Sequence, residues 1–201
     1  MSAPRVIEKY NPATGEKIAD YHITTNDEVE AAVARARAAF PKWSALTVKE
    51  RLKRLQAVRK VCVQDSEAIA RRISLDTGKP YLESLMHEVA SIPMFIDHYE
   101  KVAPKVLGRR KERTPLVFPG KQIYVTYFPM GVIAVISPWN FPFRLSMAPI
   151  VSALIAGNTV VLKPSEVTPE TGEVIREIFE QANLGVGIVE VIQGDGLTGQ
   201  A

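Results

Sequence analysis

Two short segments carry residue types suited to chemistry on a carbonyl held beside a nucleotide. They are Ser137-Pro138-Trp139-Asn140-Phe141-Pro142 and Lys163-Pro164-Ser165-Glu166. Asn140 brings a side-chain amide between two prolines, which stiffen the backbone that carries it. An amide N–H₂ on a fixed mount is a suitable donor to an oxyanion formed when a carbonyl is attacked. The plainer alternative makes Trp139 a hydrophobic anchor and Asn140 the closure of a turn. In the second segment, Glu166 is placed to accept hydrogen bonds from a ribose diol, and its charge would repel a 2′-phosphate. Lys163 could donate to the same ribose. Glu166 could also do no more than help cap the helix that follows. A third segment, Gly194-Asp195-Gly196-Leu197-Thr198-Gly199, matches G-x-G-x-x-G literally. That fingerprint needs a following helix and an acidic residue about 20 positions on, and neither falls within the chain. A glycine-rich loop near a ligand, without the full phosphate-binding role, is the reading adopted.

The elements around these segments explain why they should meet. Val132–Ile136 is a continuous apolar run, as expected of a parallel strand buried on both faces. A helix is predicted over Phe143–Ala156, a strand over Thr159–Leu162, a helix over Pro169–Asn183 and a strand over Val189–Ile192. This βαβαβ order is half of a doubly wound sheet, in which ligands bind outside the carboxyl ends of the strands. All three segments lie at that edge.

The first half reads differently. Val6–Tyr10 is a short strand entering the turn Asn11–Gly15. Thr25-Asn26-Asp27-Glu28 offers an N-cap to a helix that ends near Phe40-Pro41. A second helix follows Thr47, with Leu52, Leu55, Val58 and Cys62 at helical spacing. Asp76-Thr77-Gly78-Lys79-Pro80 is punctuation. A third helix is predicted from Tyr81 to about Tyr99, kinked at Pro93. Pro115–Pro119 and Gln122–Phe128 flank Gly120-Lys121 and read as a hairpin, the prolines making its first arm an edge. The expected organisation is therefore residues 1–114 as strand and helices packing on the sheet, 115–130 as hairpin, and 131–201 as the first part of a Rossmann-type α/β domain.

Composition removes several function classes. Hydrophobic residues at 46% and charged residues at 23% describe a globular chain with a core. A net charge of +3 is too small to argue for nucleic acid. The basic stretch Lys105–Arg113 reads as a solvated loop. The stripe Arg51, Lys53, Arg54, Arg59 and Lys60 reads as a solvated helix face without interleaved aromatics. No apolar run is long enough to span a bilayer, and the N-terminus lacks the apolar core of a secretory signal. A single cysteine, Cys62, excludes an intramolecular disulfide framework and fits a reducing compartment, so the expected location is the cytoplasm. The three histidines, His22, His87 and His98, show no metal spacing, and no metal is expected.

Ser137–Pro142, the run Ala156–Glu166, the turn Asn11–Glu16 and Asp76–Pro80 together resemble the NAD(P)-dependent aldehyde dehydrogenase superfamily over essentially the whole chain. The resemblance implies an enzyme that oxidises an aldehyde to a carboxylic acid, with NAD as cofactor and NADP an alternative. It implies that Asn140 donates to the oxyanion of a thiohemiacetal and that the backbone of Ile136, Ser137, Pro138 and Trp139 borders the cofactor. Lys163, Ser165 and Glu166 form the ribose-holding segment, and Gly196 lies toward the adenine end. The hairpin resembles part of an oligomerisation element, which implies a homo-oligomer. The family's cysteine nucleophile and glutamate base belong to segments after the part matched here. Cys62, on an apolar helical stripe, is expected to be a buried structural thiol. Where many members have Trp-Lys after the Asn loop, this chain has Ala148-Pro149, which leaves the subgroup open. The chain is accordingly expected to be an N-terminal portion, inactive alone. Its alternatives are a non-catalytic subunit pairing with a homologue or a separate C-terminal half, or a dinucleotide-binding module.

Overall fold

A parallel sheet of three strands, β5 (Val132–Ile136), β6 (Thr159–Lys163) and β7 (Val189–Val191), organises the molecule. The order is β5-β6-β7, with Val132 opposite Thr159 and Val160 opposite Val189. This computed structural model describes residues 5–117 and 119–201, and Phe118 of the hairpin region lies outside them. Helices α6 (Pro142–Ile155) and α7 (Pro169–Ala182) form the crossovers between the strands. Central β6 is buried at every position. Each fully buried Val or Leu contributes about 1.5–3 kcal/mol.

The two faces of the sheet are covered differently because successive side chains alternate. Val161 and Ile192 pack with Val29, Ala32 and Ala36 of helix α1 (Asn26–Ser44). Val135, Val160 and Leu162 turn to the opposite face and join one large core with α6, α7 and the N-terminal helices. Those helices are α2 (Val48–Gln64), α3 (Ser66–Thr77), a single turn α4 (Tyr81–Glu83) and α5 (Ser91–Val106). A π-helical segment, Ser84–Val89, lies between α4 and α5. Sheet and helices thus share a core.

Several sequence expectations are corrected. Strand β5 is not buried on both faces: Ala134 and Ile136 are exposed, Ile136 at 64%. It is one of the two edges of the sheet, and α1 covers the face carrying these two residues only in part. Helix α1 continues past Pro41 to Ser44, because Trp43 is buried to 1% exposure and its indole N–H donates to the Leu154 carbonyl at 3.0 Å. The helix after Thr47 breaks at Asp65 into α2 and α3. The break beyond Tyr81 comes from the π segment, while Pro93 sits in the first turn of α5, where a missing N–H costs nothing.

The hairpin pairs different residues from those expected. Its first arm is β3 (Arg110–Glu112), antiparallel to β4 (Ile123–Val125), with Lys111 opposite Tyr124. Pro115 falls in the connection, since proline cannot supply a ladder donor. The Arg109 guanidinium instead stacks 3.8 Å over the Tyr124 ring. Part of the basic stretch read as loop is therefore strand, and the expected boundary at residue 115 cuts through the hairpin. A further strand, β2 (Lys17–His22), pairs with β1 (Val6–Tyr10) around the turn at Gly15, which adopts φ +74°. Arg51 is not solvated: its Nε donates to the Ile155 carbonyl at 2.9 Å, and it is only 6% exposed. Lys53, Arg54 and Lys60 are exposed, as read.

Candidate cofactor and oxyanion site

Three loops meet at the carboxyl edge of the sheet. The first leaves β5 at Ser137, whose backbone N–H donates to the Lys163 carbonyl at 3.1 Å. The Ser137 hydroxyl is turned inward, 2.6 Å from that of Ser146, so only its backbone faces the edge. Ile136, Pro138, Trp139 and Asn140 are exposed. No hydrogen bond engages the Asn140 side-chain amide among the described residues, while its backbone is held by the Lys79 Nζ, which donates to the Asn140 carbonyl at 2.8 Å.

The second loop follows β6. Lys163 is only 6% exposed, and its Nζ donates to the carbonyls of Gly194 at 2.7 Å and Pro164 at 3.0 Å. An ammonium has three hydrogens, so one is left to point toward Glu166, whose Oε2 is 3.6 Å away. That gap is too long for a hydrogen bond. A sugar diol lying alongside this pair would meet a donor at the lysine and an acceptor at the half-exposed carboxylate. Ser165, in contrast, is buried, and its Oγ accepts from the Val167 N–H at 3.2 Å. Its side chain supports the loop and does not present itself to the edge.

In the third loop, Gly194–Gly199 folds into turns. Asp195 Oδ1 accepts from the backbone N–H of Leu197 and Thr198 at 2.9 and 3.3 Å. The Thr198 N–H, above all, holds the Asp195 carboxyl below its ordinary range. A Cβ on Gly194 would lie 2.0 Å from Thr198 Oγ1, so the loop needs glycine there. Gly196 is exposed and a Cβ there would meet nothing within 4 Å, so the protein itself does not require a glycine at that position. A groove of about 250 Å³ runs from these turns between α1 and the open face of β5, lined by Val33, Ala134, Ile136, Lys163 and Thr198.

What the sequence did not reveal is how the N-terminal helices hold these loops. Neither α6 nor α7 has a side-chain N-cap of its own, and both begin with proline. Each is capped from a distance. Glu88 Oε2 accepts from the backbone N–H of Phe143 at 2.8 Å and Arg144 at 3.4 Å. Asp76 Oδ2 accepts from the Thr171 N–H at 2.8 Å and hydroxyl at 2.6 Å. Both carboxylates are buried and each has a lysine: Lys79 is 2.6 Å from Glu88, and Lys9 is 3.2 Å from Asp76 Oδ1, without the alignment of a hydrogen bond. The stretch read as punctuation, Asp76–Pro80, therefore touches the first turn of α7 through Asp76 and the Asn140 loop through Lys79. Gly78 lets the chain turn between them at φ +76°.

The profile of the Aldehyde dehydrogenase family matches residues 1–201. The chain belongs to this family. It is 36% identical over 194 residues to a 4,4′-diapolycopene aldehyde oxidase of Methylomonas sp, covering 96% of this chain and 37% of that protein. It is 37% identical over 195 residues to an N-succinylglutamate 5-semialdehyde dehydrogenase of Vibrio cholerae, covering 97% and 39%. Among solved structures, PnpE from Pseudomonas sp. WBC-3 superposes with a TM-score of 0.87 at 34% identity, covering 98% of this chain and 40% of that one. A second PnpE structure, in complex with nicotinamide adenine dinucleotide, matches with a TM-score of 0.88. The chain thus spans about two-fifths of the length of these relatives and corresponds to their N-terminal portion.

Other potential sites are absent among the described residues. No cluster of three or more His, Cys, Asp and Glu could hold a metal, and no helix is long and apolar enough to cross a membrane. Cys62 is fully buried, and burial pushes its thiol up to about 12.

Proposed function

We propose that residues 1–201 supply the ribose seat and the oxyanion donor of an NAD-dependent aldehyde dehydrogenase that oxidises an aldehyde to a carboxylic acid. The observation that carries this reading is the pairing, at one sheet edge, of an exposed Asn140 amide on a fastened backbone with the adjacent donor and acceptor of Lys163 and Glu166. NAD, when bound, supplies the hydride acceptor. The chain's own residues bind and polarise. Lys163 Nζ donates to one ribose hydroxyl, Glu166 accepts from the other, and the Ile136–Trp139 backbone lines the path toward Asn140. The Asn140 Nδ2 donates to the oxygen of the attacked carbonyl as it becomes an oxyanion. One such donor lowers the barrier by roughly 3–4 kcal/mol. The charge of Glu166 favours NAD over NADP, because a 2′-phosphate would be brought against it. Gly196, where the protein itself makes no demand for glycine, suits a surface approached by the adenine end.

The single thiol, buried in the helical core, serves as packing. Residues 1–201 alone should therefore not turn over an aldehyde. The exposed residues beyond β4, Tyr127, Phe128 and Met130, together with the hairpin, suit pairing with another copy. A free reduced cysteine suits a cytoplasmic protein.

Titration with NAD while following tryptophan emission tests the reading. Trp139 is 60% exposed and Trp43 is 1% exposed, so a soluble quencher reports Trp139. Removing Trp43 to isolate that signal is inadvisable, since it fills the core and caps the Leu154 carbonyl. Saturable quenching by NAD, weaker with NADP and weakened in Glu166→Ala, is the expected result. Quenching that is non-saturable, or unchanged in Glu166→Ala, would sink the proposed seat.

A further inference from the structure

We infer that Lys79 and Glu88 are positioning residues for the Asn140 amide, a clamp built from the N-terminal helices that sets where the oxyanion donor points. The inference rests on the oxyanion reading of Asn140 and adds the residues through which that donor is aimed. Three contacts converge on the Lys79 ammonium. It donates to Glu88 Oε1 at 2.6 Å and to the Asn140 carbonyl at 2.8 Å, and it lies 4.4 Å from the centre of the Phe141 ring. The second oxygen of Glu88 takes the Phe143 and Arg144 N–H groups at the start of α6. The carbonyl of residue 140, the ring of 141 and the amides of 143 and 144 are therefore all tied to one ion pair.

The geometry matters because the Asn140 side chain has no anchor of its own. Its direction follows from the Asn140 backbone, and the Lys79 bond pins the peptide plane immediately after that Cα. On the upstream side, Ser137 is tied to Lys163 and Ser146. Downstream, Pro142 fixes one dihedral but offers no N–H. Without Lys79, the carbonyl of residue 140 loses its donor and the plane can rotate. A misplacement of about 1 Å in a catalytic group can cost about 100-fold in rate.

Glu88 is buried at 0% exposure, and the Lys79 side chain is 12% exposed. Removing Lys79 alone would strand a carboxylate, a change that can unfold a chain. The informative variant is therefore Lys79→Met with Glu88→Gln. Both charges go and the glutamine oxygen can still accept from Phe143 N–H, while the donor to the Asn140 carbonyl is lost together with the Lys79–Glu88 bond and the cation over the Phe141 ring. The assays are steady-state kinetics on the whole enzyme containing this segment and hydrogen–deuterium exchange across residues 138–146.

The expected result is a fall in kcat of roughly 10- to 100-fold, with KM for NAD within about twofold and faster exchange confined to the Asn140 loop. Combined with Asn140→Ala, the double change should add almost nothing to the loss from Asn140→Ala alone, as for groups acting through one another. A purely structural ion pair would multiply the losses instead. Near-normal kcat in the double variant beside a crippled Asn140→Ala would overturn the clamp and leave the oxyanion reading standing. Wild-type kcat in Asn140→Ala would remove both. Should Lys79→Met with Glu88→Gln not fold, Lys79→Arg keeps the charge and displaces the donor. It must show the same kcat fall and the same non-additivity with Asn140→Ala, or the inference fails.

Discussion

Replacing Asp76 by alanine tests the idea that the sheet is capped from the N-terminal helices. Asp76 Oδ2 takes two donors from Thr171, and Oδ1 faces Lys9 at 3.2 Å. Removing the carboxylate leaves the Thr171 N–H without its acceptor and Lys9, 8% exposed, with the Val167 carbonyl as its remaining partner. Loss of a helix cap costs about 1 kcal/mol. Stranding the buried partner of an ion pair brings the total to about 3–5 kcal/mol. For a chain of this size, 1 kcal/mol moves Tm by about 2–4 °C, so the fall should be roughly 10 °C. Urea unfolding followed by circular dichroism gives the free energy, with the slope checked for constancy. Asp76→Asn combined with Lys9→Met keeps an acceptor for Thr171 and removes both charges. It should recover most of the loss, to within about 2 kcal/mol of wild type. A cost below about 1 kcal/mol in Asp76→Ala, or no recovery in the double variant, would refute the reasoning.

Other outcomes follow from single contacts. Glu28, in the capping box of α1, is held down to about 2 from 4.5, first by the Thr25 backbone N–H and then by His22. A depressed carboxylate contributes stability that is complete above its unfolded pKa and lost as pH falls through the folded one. The urea midpoint should therefore drop between about pH 4.5 and pH 2 less steeply in Glu28→Gln than in wild type. Cys62, with its thiol pushed up to about 12, should resist a thiol reagent at pH 8 until denaturant is added; rapid native labelling would contradict its burial. Gly194→Ala should weaken NAD quenching of Trp139 at least severalfold, because its Cβ meets Thr198 and the loop whose carbonyl engages Lys163 must move. Unchanged quenching would separate that loop from the seat.

How much of this was legible depended on how far each residue's partner lies along the chain. Strands β5 and β6 and helices α6 and α7 stand out because apolar periodicity is local. Strand β2 does not, since half of Lys17–His22 is polar and only Tyr21 is buried in it. The first hairpin arm, Arg110-Lys111-Glu112, reads as a charged loop, and only pairing with β4 makes it a strand. Residue type at strand ends singles out Asn140, Lys163 and Glu166 as candidates, and the structure brings the two loops that carry them to one edge of the sheet. Ser137 and Ser165 were named with them, yet their hydroxyls serve the fold. Lys79, Glu88 and Asp76 gave no signal of their roles because their partners lie 61, 55 and 95 positions away. A single buried acid in an otherwise ordinary helix looks like any surface acid until the packing is known.

The two distant caps also have a consequence for the order in which the molecule can be made. Glu88 precedes Phe143 by 55 residues, and Asp76 precedes Thr171 by 95. At about 5–20 residues per second of synthesis, each carboxylate leaves the ribosome roughly 3 to 20 s before the helix it will cap. The N-terminal helices can therefore assemble first, with Lys79 already neutralising Glu88 and Lys9 available to Asp76. Each crossover helix then emerges into a waiting acceptor. The polarity of translation suits this architecture, and a permuted gene that placed residues 1–90 last would have to form α6 and α7 uncapped.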